Sequence, residues 1–250
     1  MSGLMQRIRG RINREKFNPG LIGLVANPFY LIRRPLHAQI ARLSTRVRGR
    51  VLDFGCGSKP YRHLFAHADE YVGLDIEQSG HDHKNSQVDV FYDGTIIPFE
   101  DGRFDAAVAF EVFEHVFNLD EVLGEIRRVL RPDGLLLISL PFAWDEHEQP
   151  YDFGRYTSFG LRHVLERNGF DVVELVKSGN YVSAVWQLWV AYLHQRVSPR
   201  AKALKLVFQL GIVAPVTLAG LLASKVLPRS DQLYSNLVVL ARKSEEREPH

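Results

Sequence analysis

Short apolar runs alternate along the chain with segments in which apolar residues recur at helical spacing. The runs predict buried strands over 50–54, 71–76, 104–110 and 135–140. Between the third and fourth runs, Leu119–Leu130 shows the period of an amphipathic helix. The other predicted elements are a weaker strand over 87–91, helices over 58–67, 157–167 and 181–195, and strands over 171–177 and 237–240. Strands that alternate with helices predict an α/β fold with a doubly wound, mostly parallel sheet.

The two ends of the chain and one late segment depart from this alternation. We predict a basic helical extension over 1–47, a main domain over 48–243 with a helical, apolar insertion over 180–230, and a disordered tail over 244–250. Within the insertion, Leu206–Ser224 contains no charged residue. We interpret this stretch as a lid, a dimer surface or a hairpin that dips into a membrane face.

Charge is unevenly distributed, although the chain as a whole carries only +2. The first 50 residues hold eleven Lys or Arg side chains and one acid, Glu15. Such a basic segment can attract anionic lipid or an acidic ligand, and the alternative is a solvated, frayed extension. Nucleic acid is not expected as a partner, because the basic run lacks aromatic residues that stack on bases.

A single cysteine, Cys56, excludes an internal disulfide and a cysteine-based zinc site. The first apolar stretch, Leu21–Ala26, is too short for a signal peptide. We therefore expect a cytoplasmic protein, with the inner face of the membrane as the alternative location.

The first predicted strand ends in a turn with two glycines, Gly55 and Gly57. In open α/β sheets, ligands bind beyond the carboxyl ends of the strands, where glycines let the backbone approach closely. Pro60 stands where a nicotinamide-binding loop has its third glycine, so a dinucleotide is disfavoured. Asp75 follows Gly55 by 20 residues, the spacing of an acid that binds ribose hydroxyls. The pattern predicts a nucleoside ligand.

Several segments together resemble the class I S-adenosylmethionine-dependent methyltransferases. They are VLDFGCGSKP (51–60), YVGLDI (71–76), DGTIIPF (93–99), FDAAVAFEVFEHV (104–116) and LRPDGLLLISLP (130–141). The resemblance covers about 48–178 and the last strand. It implies a seven-stranded Rossmann-like sheet with an antiparallel last strand, methyl transfer as the activity and S-adenosylmethionine as the cofactor.

The same resemblance implies roles for individual residues at the strand ends. The implied cofactor-binding residues are Asp53, Gly55, Cys56 and Gly57 near the methionine part, Asp75 and Ile76 at the ribose, Asp93 and Gly94 at the adenine, and Glu111 and Val112 under the sulfonium. Cys56 is interpreted as a small filler of the loop rather than a nucleophile. The alternative for Asp93 is a carboxylate that caps a turn.

The segment 141–157 combines polar and aromatic residues and follows the fifth motif, where acceptor-side groups lie in this architecture. Its HExPYDxxRYT stretch is similar to one in methyltransferases of cell-surface polysaccharide and lipid-linked glycan pathways. We expect transfer to an oxygen, with nitrogen as the second choice, of a glycan, a lipid-linked sugar or a related small molecule. His147 is the candidate base, and the alternative is a hydrogen-bonded loop histidine.

No metal site is predicted. Glu111, Glu114 and His115 are interpreted as residues that shape the cofactor site, and His81–His83 as a solvated turn. Two alternative functions remain open, a non-catalytic peripheral membrane or scaffold protein with this fold and an aminopropyl-type transferase. Membrane contact through 1–50 and 181–228 and a homodimer are the expected associations.

Overall fold

The computed structural model describes residues 15–77 and 86–245. The first part of the basic extension, the His81–His83 turn and the end of the predicted tail lie outside the described residues. The chain divides into two compact units. The helical unit contains the described residues up to Gln39 and Lys177–Asn236, and the sheet unit contains Ile40–Val176 and the residues from Leu237 on.

Seven strands form one sheet. They are β1 (Arg50–Phe54), β2 (Glu70–Ile76), β3 (Val90–Tyr92), β4 (Phe104–Phe110), β5 (Leu130–Pro141), β6 (Phe170–Ser178) and β7 (Asn236–Lys243). Their order is β3-β2-β1-β4-β5-β7-β6, and the pairs from β3 to β5 are parallel. The last strand, β7, is antiparallel to both of its neighbours. The predicted mostly parallel sheet with an antiparallel last strand is confirmed.

The register of the parallel pairs aligns the carboxyl ends of four strands. Phe54 lies opposite Leu74, Ile76 opposite Tyr92, and Phe110 opposite Ser139. The loops that follow β1, β2, β3 and β4 therefore start from one edge of the sheet. This edge carries all the cofactor-binding residues implied by the sequence.

Seven α-helices are described. They are α1 (Leu21–Ala26), α2 (Tyr30–Ser44), α3 (Leu119–Val129), α4 (Ser158–Arg167), α5 (Tyr181–Tyr192), α6 (Lys202–Phe208) and α7 (Ala214–Val226). The predicted amphipathic helix is α3, whose apolar face is buried. At the start of α4, the Thr157 side chain accepts a hydrogen bond from the Gly160 N–H, as expected of an N-cap.

The helix predicted over 58–67 is wrong. Only a 3-10 helix, Arg62–Phe65, follows the glycine turn. Lys59 has a φ of 51°, in the left-handed region that a right-handed helix cannot contain. The chain then turns back, and the Asp69 N–H donates to the Gly49 carbonyl at 2.9 Å. Between these two constraints the chain forms only the short 3-10 helix.

The N-terminal helices and the apolar insertion belong to the same helical unit. The Gln187 amide of α5 joins them, because its oxygen accepts from Ile32 N–H at 3.2 Å and its nitrogen donates to the Pro28 carbonyl at 2.9 Å. Trp186 packs against Gly220 of α7, where a Cβ would lie 2.2 Å from the indole. Single π-turns, Leu193–Val197 and Gln209–Val213, follow α5 and α6.

Part of the basic N-terminal charge is used in ion pairs of the sheet unit. Arg42 and Arg46 contact Glu174 at 2.6 and 3.3 Å. The Arg50 Nε lies 3.5 Å from the Asp105 Oδ2. These arginines stabilise the sheet unit and are less free to attract an external anion than the sequence suggests.

Candidate active site

The turn after β1 approaches its neighbours closely at one glycine and borders open space at the other. A Cβ on Gly55 would lie 2.6 Å from a methyl group of Val112, so only glycine fits there. At Gly57, none of the described residues lies within 4 Å of the position of a Cβ. Both glycines have positive φ, 67° and 47°. The turn therefore presents backbone, with no side chain, to a space that a ligand can fill.

Asp75 at the end of β2 is joined to this turn. Its Oδ2 accepts a hydrogen bond from the Gly57 N–H at 2.9 Å, and its Oδ1 accepts one from the Ile76 N–H at 2.9 Å. A carboxylate offers about four acceptor positions. Asp75 is half-buried and keeps acceptor capacity for the hydroxyls of a ligand.

Asp53, in β1, lies beneath the turn and is buried. The Tyr71 hydroxyl donates to its Oδ2 at 2.7 Å. Burial raises the pKa of Asp53 to about 7, although the Tyr71 hydrogen bond and the Lys59 ammonium act in the opposite direction. Near neutral pH, Asp53 can therefore be either neutral or charged.

Lys59 is a site residue that the sequence did not reveal. Its side chain is 1% exposed, and its ammonium group pairs with Asp89. Gly73 of β2 makes room for it, since a Cβ there would lie 2.2 Å from the Lys59 Cε. The buried Cys56 thiol lies beside the same glycine. Burial raises the pKa of this thiol, which fits the filler role rather than that of a nucleophile.

Asp93 and Gly94 follow β3 at the same edge. A Cβ on Gly94 would lie 4.0 Å from a methyl group of Ile76, so these two residues are neighbours. Asp93 is exposed, and its Oδ1 accepts from the Thr95 hydroxyl and N–H at 2.6 and 2.9 Å. These hydrogen bonds lower the pKa of Asp93. The carboxylate caps a turn through its Oδ1, as in the alternative interpretation.

Glu111 directly follows β4 and has a strained backbone conformation, with a φ of 57°. Its carboxylate accepts from the Ser139 hydroxyl at 2.7 Å, and its N–H donates to the Ser139 carbonyl at 2.9 Å. This conformation places Val112 against Gly55. The structure thus brings Glu111 and Val112 to the glycine turn.

His147 lies in the loop after β5 and is held by Asp152. Its Nδ1 is 3.2 Å from the Asp152 Oδ2, and its N–H donates to the same oxygen at 3.0 Å. Burial alone would raise the pKa of Asp152, but hydrogen bonds from Arg155 and from the His147 N–H lower it to about 2. Burial, and then the neighbouring His115, lower the pKa of His147. A neutral imidazole oriented by a carboxylate is suited to accept a proton.

Two further side chains converge on His147, and the sequence did not connect them with it. The rings of His115 and His147 meet edge to face, with centroids 4.7 Å apart. Glu114, beside His115, is fully buried. Burial, and next the Glu111 charge, raise the pKa of Glu114 well above its usual range.

Comparison with known proteins identifies the family. Residues 29–175 match the family described as "Methyltransferase domain", which is more than half of the chain. The chain belongs to the methyltransferase-domain family. This membership confirms the class expected from the sequence, a methyltransferase domain of the kind that uses S-adenosylmethionine.

Individual relatives agree with the family. A protein of Mycolicibacterium smegmatis named "Probable S-adenosylmethionine-dependent methyltransferase" is 31% identical over 174 residues, 67% of this chain and 63% of that protein. "O-methyltransferase rstn1" of Aspergillus nomiae is 29% identical over 162 residues, 56% of this chain and 72% of that protein. The structure of geranyl diphosphate methyltransferase in complex with SAM has a TM-score of 0.52 at 13% identity, covering 83% of this chain and 85% of that one, and supports the fold.

The chain spans 63% of the M. smegmatis relative and 52% of two similar proteins of Mycobacterium tuberculosis. The family is therefore shown for the domain, whereas the activity and acceptor of the whole protein are matters of proposal.

Proposed function

We propose that this protein transfers a methyl group from S-adenosylmethionine to a hydroxyl oxygen of a polar acceptor, a glycan, a lipid-linked sugar or a related metabolite. The observation that carries the proposal is the hydrogen bond from the Gly57 N–H to Asp75, beside space that none of the described residues fills. This arrangement places a turn without side chains next to a carboxylate, at the ends of two adjacent parallel strands, where a nucleoside ligand fits.

The charges around this space suit a cationic cofactor. Asp53, Asp75 and Glu111 lie at the strand ends around the glycine turn, and acidic groups of this kind attract a sulfonium rather than a phosphate. Gly55 and Gly57 would border the methionine part, Asp75 the ribose, and Val112 the sulfonium. Bound S-adenosylmethionine supplies an electrophilic methyl group. The protein then has to orient the acceptor, and orientation lowers barriers by about 7–11 kcal/mol in favourable cases.

Oxygen is the favoured acceptor atom because the site holds a means to remove a hydroxyl proton. The Nδ1 of His147 faces Asp152, which leaves Nε2 as the atom that can receive a proton. The O-methyltransferase name of one relative supports the same choice. Trp144 precedes His147 and Tyr156 follows Asp152 in sequence, and both side chains could stack on a sugar ring.

Cofactor binding is tested by calorimetric titration with S-adenosylmethionine. Gly57→Ala places a methyl group in the open space, and we expect affinity to fall at least tenfold. Gly102→Ala is the matched control, because Gly102 also has a positive φ, 65°, but precedes β4 at the opposite edge of the sheet. Both changes carry a similar backbone strain, about 1–2 kcal/mol. Equal affinities of the two variants, or no binding by the wild type, would contradict the proposal.

The acceptor is tested by comparing glycans and lipids of a deletion strain with those of the parent by mass spectrometry. We expect a species that lacks one methyl group in the deletion strain and regains it with the wild-type gene but not with Asp75→Ala. Complementation by Asp75→Ala would instead favour the non-catalytic scaffold. An aminopropyl-type transferase would yield a product with a different mass increment.

We further propose that the protein works at the inner face of the membrane, with its helical unit resting on the lipid. The 25 helical residues Lys202–Val226 are long and apolar enough to cross a membrane by length and composition, and their most apolar part is only 28% buried. Nine residues then separate α7 from β7, which lies within the sheet. Fully extended, these nine residues reach about 30 Å. If α6 and α7 crossed the membrane, the nine residues would have to return through the lipid with their backbone N–H and C=O groups unpaired. A helix that lies on the surface avoids this cost.

A further inference from the structure

Glu114, His115 and His147 form a cluster that the sequence did not predict. One carboxylate oxygen of Glu114 and one ring nitrogen of each histidine lie within 4.8 Å of one another. Glu114 Oε1 is 3.7 Å from the His115 Nε2 and 3.9 Å from the His147 Nε2. Both distances are too long for hydrogen bonds. His147 is 32 residues away from His115 in sequence, and the fold brings the two rings together.

The hydrogen bonds behind the two rings fix the direction of their lone pairs. The His115 Nδ1 is 2.8 Å from the Tyr151 carbonyl oxygen, which can only accept, so this nitrogen carries the hydrogen. The His147 Nδ1 hydrogen-bonds to the Asp145 carbonyl at 3.3 Å and lies 3.2 Å from the Asp152 carboxylate, two acceptors, whereas the Arg155 guanidinium, which can only donate, is farther away at 3.5 Å. When the rings are neutral, the nearer acceptors leave the lone pair on Nε2, the nitrogen of each ring that lies 3.7–3.9 Å from the Glu114 Oε1.

Glu114 provides an independent sign that a ligand belongs here. The residue is fully buried, and among the described residues none donates a hydrogen bond to either of its carboxylate oxygens. The Nε2 of His115 likewise lacks a hydrogen-bond partner in this part of the chain. A buried carboxylate without a donor is costly, because its lost hydration is not replaced. A protonated Glu114 could donate one hydrogen, but at 3.7 and 3.9 Å neither histidine is placed to accept it, and a bound cation would satisfy all three groups.

We propose that Glu114, His115 and His147 bind a divalent transition-metal ion of the zinc class. Two imidazoles and one carboxylate form a common catalytic zinc set with an open position, whereas Mg²⁺ prefers oxygen ligands. Tetrahedral zinc places its ligand atoms about 3.3 Å apart, so small ring rotations close the cluster around the ion. The Glu148 carboxylate lies 3.6 Å from the His115 Nε2 and is near enough to interact electrostatically with the ion.

The surroundings match the usual second layer of a metal site. Ligating histidines commonly donate their other N–H to a carboxylate or a backbone carbonyl, as His147 does to the Asp145 carbonyl, beside Asp152, and His115 to the Tyr151 carbonyl. The ion would offer its open position to the acceptor hydroxyl and lower the pKa of that hydroxyl, whose proton could pass to the nearby Glu148 carboxylate. With the ion bound His147 would be a ligand, so its role as the base applies to the metal-free site. The role of the ion rests on the proposed methyl transfer, whereas the binding of the ion does not.

The test is calorimetric titration of chelator-treated, untagged full-length protein with Zn²⁺, and with Mg²⁺ for comparison. His81 and His83 could bind zinc on their own, so the background carries His81→Ala and His83→Ala. We expect one Zn²⁺ per chain and at least tenfold weaker Mg²⁺ binding. Glu114→Gln and His147→Gln should each weaken Zn²⁺ binding at least 100-fold. Asp152→Asn, which weakens the second-layer contact and also the pairing of Asp152 with Arg155, should weaken Zn²⁺ binding about 10- to 100-fold.

The exposed His163 of α4 provides the control, and His163→Ala should bind Zn²⁺ like the background protein. X-ray absorption of the zinc-loaded background protein should show two imidazole ligands and oxygen, a result that does not depend on any variant folding. Absence of binding at micromolar Zn²⁺, equal binding by Glu114→Gln, or a spectrum without two imidazoles would overturn the proposal. Titration of the same samples with S-adenosylmethionine reports on the proposed function separately.

Discussion

At the scale of single residues, the buried Asp53 should make stability depend on pH. Its pKa is about 7 in the folded chain, and an unfolded aspartate has a pKa near 3.8. The folded state therefore binds a proton more tightly than the unfolded state between these two values. The stabilising contribution of Asp53 is complete below about pH 4 and is lost as the pH rises through about 7.

We expect Asp53→Asn to remove this dependence. Asparagine is neutral at all pH values and can still accept the hydrogen bond from Tyr71. The free energy of unfolding of the variant, relative to the wild type, should rise between pH 4 and pH 7.5 by about 1.4 kcal/mol for each unit of pKa shift. Urea unfolding at several pH values measures this difference. Asp133→Asn, at an exposed position of β5, should show no such trend, and a flat difference for Asp53→Asn would contradict the prediction.

Residues whose roles follow from local chain geometry could be predicted, and those whose roles depend on distant partners could not. Gly57 and Asp75 were found because a strand end and a glycine turn fix their positions. The meeting of His147 with Glu114 depends on how the loop after β5 folds back. In the sequence, only the adjacent Glu114 and His115 after β4 pointed to this cluster. Nothing there indicated that His147 is its third member.

At the scale of elements, β2 and the turn after β1 are joined through a buried charge. The Lys59 ammonium pairs with Asp89, and the Gly73 N–H of β2 donates to the same carboxylate at 2.7 Å. A lysine in a loop is normally exposed, so nothing in the sequence indicated that Lys59 is buried. The burial of Lys59 depends on the missing side chain at Gly73.

Lys59→Met should therefore destabilise the fold. Methionine fills a similar volume but leaves Asp53 and Asp89 without the cation. Breaking a buried pair costs about 3–5 kcal/mol, and Asp89 is 48% exposed, so we expect a loss of about 1–3 kcal/mol at pH 7. Urea unfolding provides the measurement. Lys177→Met is the control: this partly exposed lysine donates to the Asp231 carbonyl and lies 5.0 Å from the centre of the Tyr234 ring, and its loss should change stability by less than about 1 kcal/mol. Similar losses in the free energy of unfolding for the two variants would show that the Lys59 charge does not stabilise the fold.

The alternation of strands and helices was predictable because each element buries one continuous face. The bounds of β1, β2, β4 and α3 were predicted to within one residue, whereas β3 begins three residues later and β5 five residues earlier than predicted. The helical unit was harder, since Leu204, Leu206, Val207 and Leu210 are apolar and exposed at once. Apolar composition alone does not tell a buried helix from a helix that faces lipid.

At the scale of the whole molecule, these exposed residues predict binding to vesicles. Leu206 and Val207 of α6 are 60% and 67% exposed, and Lys202 and Lys205 are close by in sequence. Apolar side chains that enter the lipid, together with nearby lysines, favour an anionic membrane surface. We expect the protein to sediment with vesicles of phosphatidylcholine and phosphatidylglycerol, and to do so less as salt concentration rises.

Replacing both apolar residues, Leu206→Glu with Val207→Glu, should weaken this binding at least tenfold, because each loses about 1–2 kcal/mol of apolar transfer and gains a charge. Phe159→Glu is the control, since Phe159 is 83% exposed but belongs to the sheet unit. Cofactor affinity should be unchanged in both variants, because the substituted residues are far from the glycine turn in sequence and belong to α6 and α4, not to the loops that carry the cofactor-binding residues. A wild type that forms dimers without binding vesicles, and a double variant that is monomeric, would assign the apolar surface to a second copy of the chain instead. Vesicle binding that survives the double substitution would exclude α6 as the contact and leave the basic N-terminal residues as the segment to test.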